Sequence, residues 1–167
     1  MSTDFRLFQF LIKGEKETLL KFDRLGAGLK DFRFVWPAIA SRFYEIEKEQ
    51  FAGTGRGRKW ATLSKGYAKF KAAHYPGKPI LQREGALLAS LTSKTAGSIY
   101  EESPLKLILG SSLPYATAHQ DSRRRSLPSR PPIDMTPSDF KSFGNVLQKG
   151  FESIAEKAGF QVAGIAA

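Results

Sequence analysis

The run LPSRPPI at residues 127–133 limits what this chain can fold into more than any other stretch. Proline fixes φ and lacks an N–H, so Pro128, Pro131 and Pro132 exclude both a helix interior and a central strand. The segment leading into it, YATAHQDSRRRS, holds His119 and the arginines Arg123, Arg124 and Arg125. A loop of this length inside a compact chain binds something or is disordered. Residues 120–133 therefore read as a binding arm, in which rigid prolines flank mobile charges. Arg123, Arg124, Arg125, Pro128, Arg130 and Pro131 are its candidate partner contacts. Tyr100 lies before the arm and Tyr115 at its root as aromatic anchors. His119 and Gln120 are expected to fix that root by hydrogen bonds to backbone.

The net charge of +10 is regional. Residues 53–83 carry eight bases and no acid, the arm adds four arginines against one aspartate, and the remainder sums to about −1. Such a field permits contact with nucleic acid, an acidic protein surface or an anionic membrane, and selects none of them. The chain has no cysteine, so disulfides and thiolate chemistry are excluded. No apolar run reaches the ~20 residues of a membrane span. The opening MSTDFRLFQFLIKG lacks the basic start and cleavage site of a signal peptide and reads as part of the fold.

Local patterns give an α+β chain. Residues 5–12 predict a buried strand, and residues 15–25 a helix stopped by Gly26 and Gly28. Asp31 is a candidate cap for a longer helix whose apolar face is Phe32, Val35, Trp36, Ile39, Phe43 and Ile46, and Pro37 should start it late or kink it. Its charged side, Arg42, Glu45, Glu47, Lys48 and Glu49, is expected to face water. Residues 51–63 superficially resemble a phosphate loop, but no strand precedes them and no Lys-Ser/Thr pair follows the last glycine. A flexible basic loop landing on a buried Trp60 fits better. Ser64 caps the next helix, with Tyr67, Phe70 and His74 near one face. A short helix should end near Ser93, with Lys71 and Arg83 as exposed bases nearby. Residues 97–110 read as a hairpin turning at Ser103-Pro104, and residues 114–119 as a helical turn. Thr136, Pro137 and Asp139 open the last helix. Its apolar stripe is Phe140, Phe143, Leu147, Phe151, Ile154 and Ala158, read as core, and Gly159 ends it.

The expected architecture is a small antiparallel sheet packed against several helices, with long extended loops. It forms a single domain over residues 1–158, with a basic loop at 53–59, and an apolar tail follows at 159–167. No cofactor, metal or catalytic residue is expected. His119 has no paired histidine, cysteine or metal-ligand cluster, and the nearest acids, Asp121 and Asp134, lie in irregular chain. A small basic DNA-binding protein is the other class the charge allows, without a helix-turn-helix, zinc or RNA-binding signature to carry it.

Four sequence pieces occur in a telling order. The first is Phe51-x-Gly53-x-Gly55-x(4)-Trp60-x-x-Leu63-Ser64-x-x-Tyr67-x(3)-Lys71, and the second Ile80-Leu81-x(3)-Gly85-x-Leu87-x-x-Ser90. Then come Gly110-x(4)-Tyr115-Ala116-x-x-His119-Gln120 and Pro128-x-Arg130-Pro131. Together they resemble the virion morphogenesis family of Mu-like tailed phages, which is related to tail-completion and head–tail joining proteins. The resemblance implies a non-enzymatic structural subunit at the neck or tail end of a virion, assembled in the host cytoplasm. It also implies a homo-oligomeric ring between head-closure or connector proteins and tail-terminator or tail-tube proteins. Non-specific contact with genomic DNA is compatible with this, and a capsid-assembly role is the alternative. On that reading Arg56 and Arg58 join the arm as subunit contacts, and Arg130 pairs with an acidic neighbour. Trp60, Leu63, Leu81 and Leu87 are the motif's core.

Overall fold

A computed structural model describes residues 14–121 and 127–162. The strand expected at residues 5–12, the arginines Arg123, Arg124 and Arg125, and the end of the apolar tail lie outside these residues. The described chain is α+β: six helices and one two-stranded antiparallel sheet. In order these are α1 (Glu15–Gly28), α2 (Trp36–Ala52), α3 (Lys65–His74), α4 (Ala86–Thr92), β1 (Ser98–Ser103), β2 (Lys106–Ser111), α5 (Ala116–Gln120) and α6 (Pro137–Ala158).

Helix α2 is the axis, packed against α4 on one part of its surface and α6 on another. It starts late, at Trp36, with Pro37 in its first turn, where a missing N–H costs nothing. Asp31 does not cap it. The carboxylate instead grips Arg33 through backbone N, Nε and Nη2, closing a local turn. The start of α2 is fixed by the hairpin: Trp36 Nε1 donates to Ser103 O at 2.8 Å, and Phe32 N to Pro104 O at 2.7 Å. Helix α6 opens on the expected capping box, with the Thr136 hydroxyl accepting from Asp139 N and the Asp139 carboxylate accepting from Thr136 N. Gly159 closes it in the left-handed region, φ 94°.

Two apolar clusters result. One gathers Phe43, Phe51, Trp60, Leu87, Leu91 and Ala116 between α2, α4 and α5. The other gathers Phe32, Val35, Trp36 and Ile154 between the start of α2 and the end of α6. The hairpin pairs Ser98 with Ser111 through Ser103 with Lys106 and packs against α4.

Several expectations need correction. Helix α1 runs through Gly26 to Gly28, because its contact with α6 outweighs the weak helix propensity of one glycine. None of its residues is buried, and Leu19, Leu20 and Phe22 are more than half exposed. Glu47 does not face water; it is fully buried. Residue 47 follows Phe43 by one turn, which puts it on the core stripe despite its charge. Residues 80–85 are irregular, and α4 begins only at Ala86. Along α6 the stripe is core only in part: Ile154 and Ala158 are buried, whereas Phe140 and Phe151 are largely exposed.

Candidate functional site

The site is built from the basic loop upward. Residues 53–60 do not hang free: Gly55 N donates to Gln50 O and Trp60 N to Thr54 O, both at 2.9 Å. Thr54 (φ 52°) and Gly55 (φ 100°) both take left-handed conformations to make this reversal. A Cβ at residue 55 would also approach the Trp60 N at 3.0 Å, so glycine is required there on two counts.

Arg56 is tied down rather than presented to a partner. Its N–H donates to Gln50 Oε1 at 2.6 Å, and its guanidinium meets Asp139 at 3.0 Å and Glu49 at 3.0 Å. Asp139 is buried, which works against its charge. The Thr136 N–H and hydroxyl and the Arg56 guanidinium win, holding its carboxyl below the usual range. Arg58 remains exposed. Glu47 lies near this cluster, and among the described residues neither of its carboxylate oxygens has a hydrogen-bond partner. Burial pushes its pKa up to about 8, with Arg56 opposing and Asp139 and Asp134 reinforcing.

The loop delivers Trp60, and Trp60 receives the end of the arm. Its Nε1 donates to Pro131 O at 3.0 Å, and Gln50 Nε2 donates to the same oxygen at 3.0 Å. Pro131 and Pro132 are buried against this pair. Arg130 is 6% exposed, and its guanidinium donates from Nε to Ala61 O and from Nη2 to Thr62 O, both at 2.7 Å. The expected pairing of Arg130 with an outside acid is therefore corrected: its fork is spent on two backbone carbonyls of its own chain. Gln120 closes the arm's base, donating to Ile133 O at 2.8 Å and accepting from Ile133 N at 3.1 Å. Residues 127–133 are thus a clasp on the core, with Leu127 and Pro128 left exposed.

This clasp completes a cleft of about 630 Å³. Leu63, Ser64, Tyr67 and Lys71 line one part, and Ile80, Leu81, Gly85 and Leu87 another. Tyr115, His119, Pro128 and Arg130 supply the rest, with Gln82, Arg83, Glu84, Ala86 and Leu127 among them. Each of the four sequence pieces contributes to this lining. Leu81 holds φ 60°, a strained value for a leucine, at the cleft wall. Trp60 lies behind the wall as its support rather than in the lining.

The cleft is lined mostly by apolar side chains, with Lys71, Arg83, Glu84, His119 and Arg130 as its titratable members. Lys71, expected to be exposed, is buried, its ammonium donating to Pro79 O, and burial lowers its pKa from the ordinary value. Among the described residues neither Lys71 nor Arg130 has a carboxylate in ion-pair contact. Arg83 is paired with Glu84 at 3.0 Å and lies over the Tyr75 ring. His119 is half-buried, its Nδ1 has no hydrogen-bond partner among the described residues, and burial together with the nearby Arg130 charge lowers its pKa. The rings of Tyr67, Phe70 and His74 stack along α3 beside the cleft. Chemically this is a place for an apolar body carrying a negative charge. Among the described residues no hydrogen bond joins a hydroxyl of the lining to His119 or Lys71.

Compared with known protein families, with curated proteins and with solved structures, the chain matches none. Lys71 was legible as a lining residue, since it follows Tyr67, which also lines the cleft, by one turn. Gln50 was legible as well, one turn beyond Ile46 on the stripe of α2. The charge of Lys71 set the expectation of exposure against its position on the helix.

Proposed function

We propose that this chain is a non-enzymatic, ring-forming structural subunit of a tailed-phage virion that completes the tail or joins it to the head. The observation that carries the proposal is the meeting of all four sequence pieces at one cleft and its supporting clasp. Residues from 63 to 130 that resemble the virion morphogenesis pattern share one site. The exposed surface supports an assembly role. Leu19, Leu20 and Phe22 on α1, Tyr67 and Phe70 on α3, and Phe140 and Phe151 on α6 are all at least two-fifths exposed. Apolar side chains in such number on separate faces suit a protein covered by neighbours on more than one side. Those neighbours are further copies in a ring, head-closure or connector proteins above, and tail-terminator or tail-tube proteins below.

The basic field weighs less toward DNA than its sum suggests, since Arg56 and Lys71 are used inside the chain. Deletion of the gene in an infecting phage tests the proposal by microscopy of the lysate. Filled heads beside detached tails are expected. Empty or malformed heads would move the subunit to capsid assembly, and normal virions would overturn the structural reading.

A further inference from the structure

We propose that α6 pairs antiparallel with α6 of a second copy of this chain, through the outward stripe of Phe140, Gly144, Leu147 and Phe151. The contact is independent of the ring reading above. One patch meets itself, so the contact closes at two copies and adds a two-fold axis to any assembly built by other faces.

The apolar stripe of α6 is divided by the fold. Ile154 and Ala158 are buried, and Gly150 lies against Val35 at the entry to α2. A Cβ on Gly28 would meet Ile154, and Lys21 lies over Gly159, so α1 covers α6 from Ile154 onward. The stripe before that point is open. Phe140 is 64% exposed, and Phe151 is 48% exposed although its ring meets Phe32 edge-on at 5.0 Å. Between them Gly144 is exposed, with open space where a Cβ would stand, and Leu147 is half-buried. Phe34, half exposed and stacked on Phe32, widens the patch at its Phe151 end.

Shape and charge both select a second copy as the occupant. Turned end for end about a point between Asn145 and Val146, the stripe meets its own complement: Phe140 falls opposite Phe151, and Gly144 opposite Leu147. Each leucine enters the gap beside a glycine, and each exposed phenylalanine meets another. Charges match in the same register. Lys141 and Glu152 lie about three turns apart on one flank of the stripe, while Lys149 and Glu156 fall on the far side of the helix. A two-fold axis keeps that flank on the same side of the seam in both copies, which brings Lys141 of each beside Glu152 of the other. Among the described residues neither makes an ion pair, and Glu152 uses only Oε1, accepting from Gln148 Nε2 at 2.9 Å. Parallel helices would instead set lysine against lysine and glutamate against glutamate, so the charges favour the antiparallel seam.

Charge exchange tests the seam in the full chain, by sedimentation over about 1 μM to 1 mM protein at low salt, where exposed pairs are least screened. The parent is expected to form dimers. Lys141→Glu and Glu152→Lys should each weaken self-association by roughly ten- to a hundredfold, because each sets like charges together at both ends of the seam. An equal mixture of the two variants should recover the dimer, since every pair in the mixed dimer is again opposite in sign. Phe140→Ser should weaken the parent dimer by a similar factor through loss of apolar burial. A dimer that survives all of these substitutions lies on another face and overturns the α6 seam. Loss in the single variants without recovery in the mixture overturns the antiparallel register, and a parent that stays monomeric over the whole range overturns the proposal outright. None of these outcomes bears on the ring reading, which the gene deletion decides.

Discussion

Trp60 Nε1 and the Pro131 carbonyl oxygen meet at 3.0 Å across 71 positions of sequence, joining the end of the basic loop to the end of the arm. The bond explains why the proline run is not a free arm: its carbonyls are needed to satisfy polar groups inside the core. Replacing Trp60 with Phe keeps the edge-on packing against Phe51 but removes the donor and leaves a gap. The expected cost is about 1–3 kcal/mol, seen as a lower urea midpoint with an unchanged slope. An unchanged midpoint would show that Gln50 alone holds the clasp.

Arg130→Lys separates an internal clasp from an outward contact. A guanidinium fork spans the Ala61 and Thr62 carbonyls together, whereas an ammonium on a flexible stem cannot hold the same geometry. A loss of about 1.5–3 kcal/mol is expected in denaturation of the isolated chain. A change within about 0.5 kcal/mol is what a free surface arginine would give, and would contradict the buried assignment.

Glu47 makes stability depend on pH in the direction opposite to an ion-paired acid. The unfolded chain releases this proton near the ordinary 4.5, while the folded chain keeps it until about 8. Between those values the folded state binds more protons, so stability falls as pH rises, by on the order of 5 kcal/mol at most. Glu47→Gln should remove that slope: similar to the parent near pH 5 and more stable near pH 9. Urea midpoints at the two pH values decide it, and parallel curves for parent and variant would sink the assignment.

Asp139 has the other sign. Its folded pKa lies below the ordinary 3.8, so its contribution is fully present above that value and lost as pH falls through the folded pKa. Asp139→Asn should cost about 2 kcal/mol at pH 7, since it weakens both the cap on Thr136 and the bond to Arg56. The difference from the parent should shrink in acid. Thermal unfolding at pH 7 and pH 3 measures both.

What the sequence made legible was the set of local devices. The late start of α2 at Pro37, the capping box at Thr136 and Asp139, the hairpin around Ser103 and Pro104, and the αL stop at Gly159 all depend on a few adjacent residues. What it hid was the inward use of polar side chains. Glu47 and Lys71 read as solvated charges, and Arg56 and Arg130 as partner contacts, because a charged residue is rarely buried. Lys71, Arg56 and Arg130 turn inward to partners up to 83 positions away, and Glu47 is buried with no hydrogen-bond partner among the described residues. Residues 127–133 are non-helical, as expected, yet they lie on the core instead of protruding, for the same reason. Proline excludes regular structure, but it does not say whether its carbonyl is wanted elsewhere.

Two glycines of α6 give opposite outcomes for one substitution. Alanine is favoured over glycine by about 0.8–1 kcal/mol in a helix interior, so Gly144→Ala, where a Cβ meets nothing within 4 Å, should stabilise by up to that amount. At Gly150 the same Cβ would come within 2.7 Å of Val35 Cγ2. Val35 is buried, and its β-branched side chain has little freedom to move aside. The clash at the crossing of α2 and α6 should outweigh the helix gain, leaving Gly150→Ala about 1–2 kcal/mol less stable than the parent. Chemical denaturation of the two variants side by side is the check. If both stabilise, α6 does not approach Val35 as closely as the structure has it, and the second apolar cluster is looser than described.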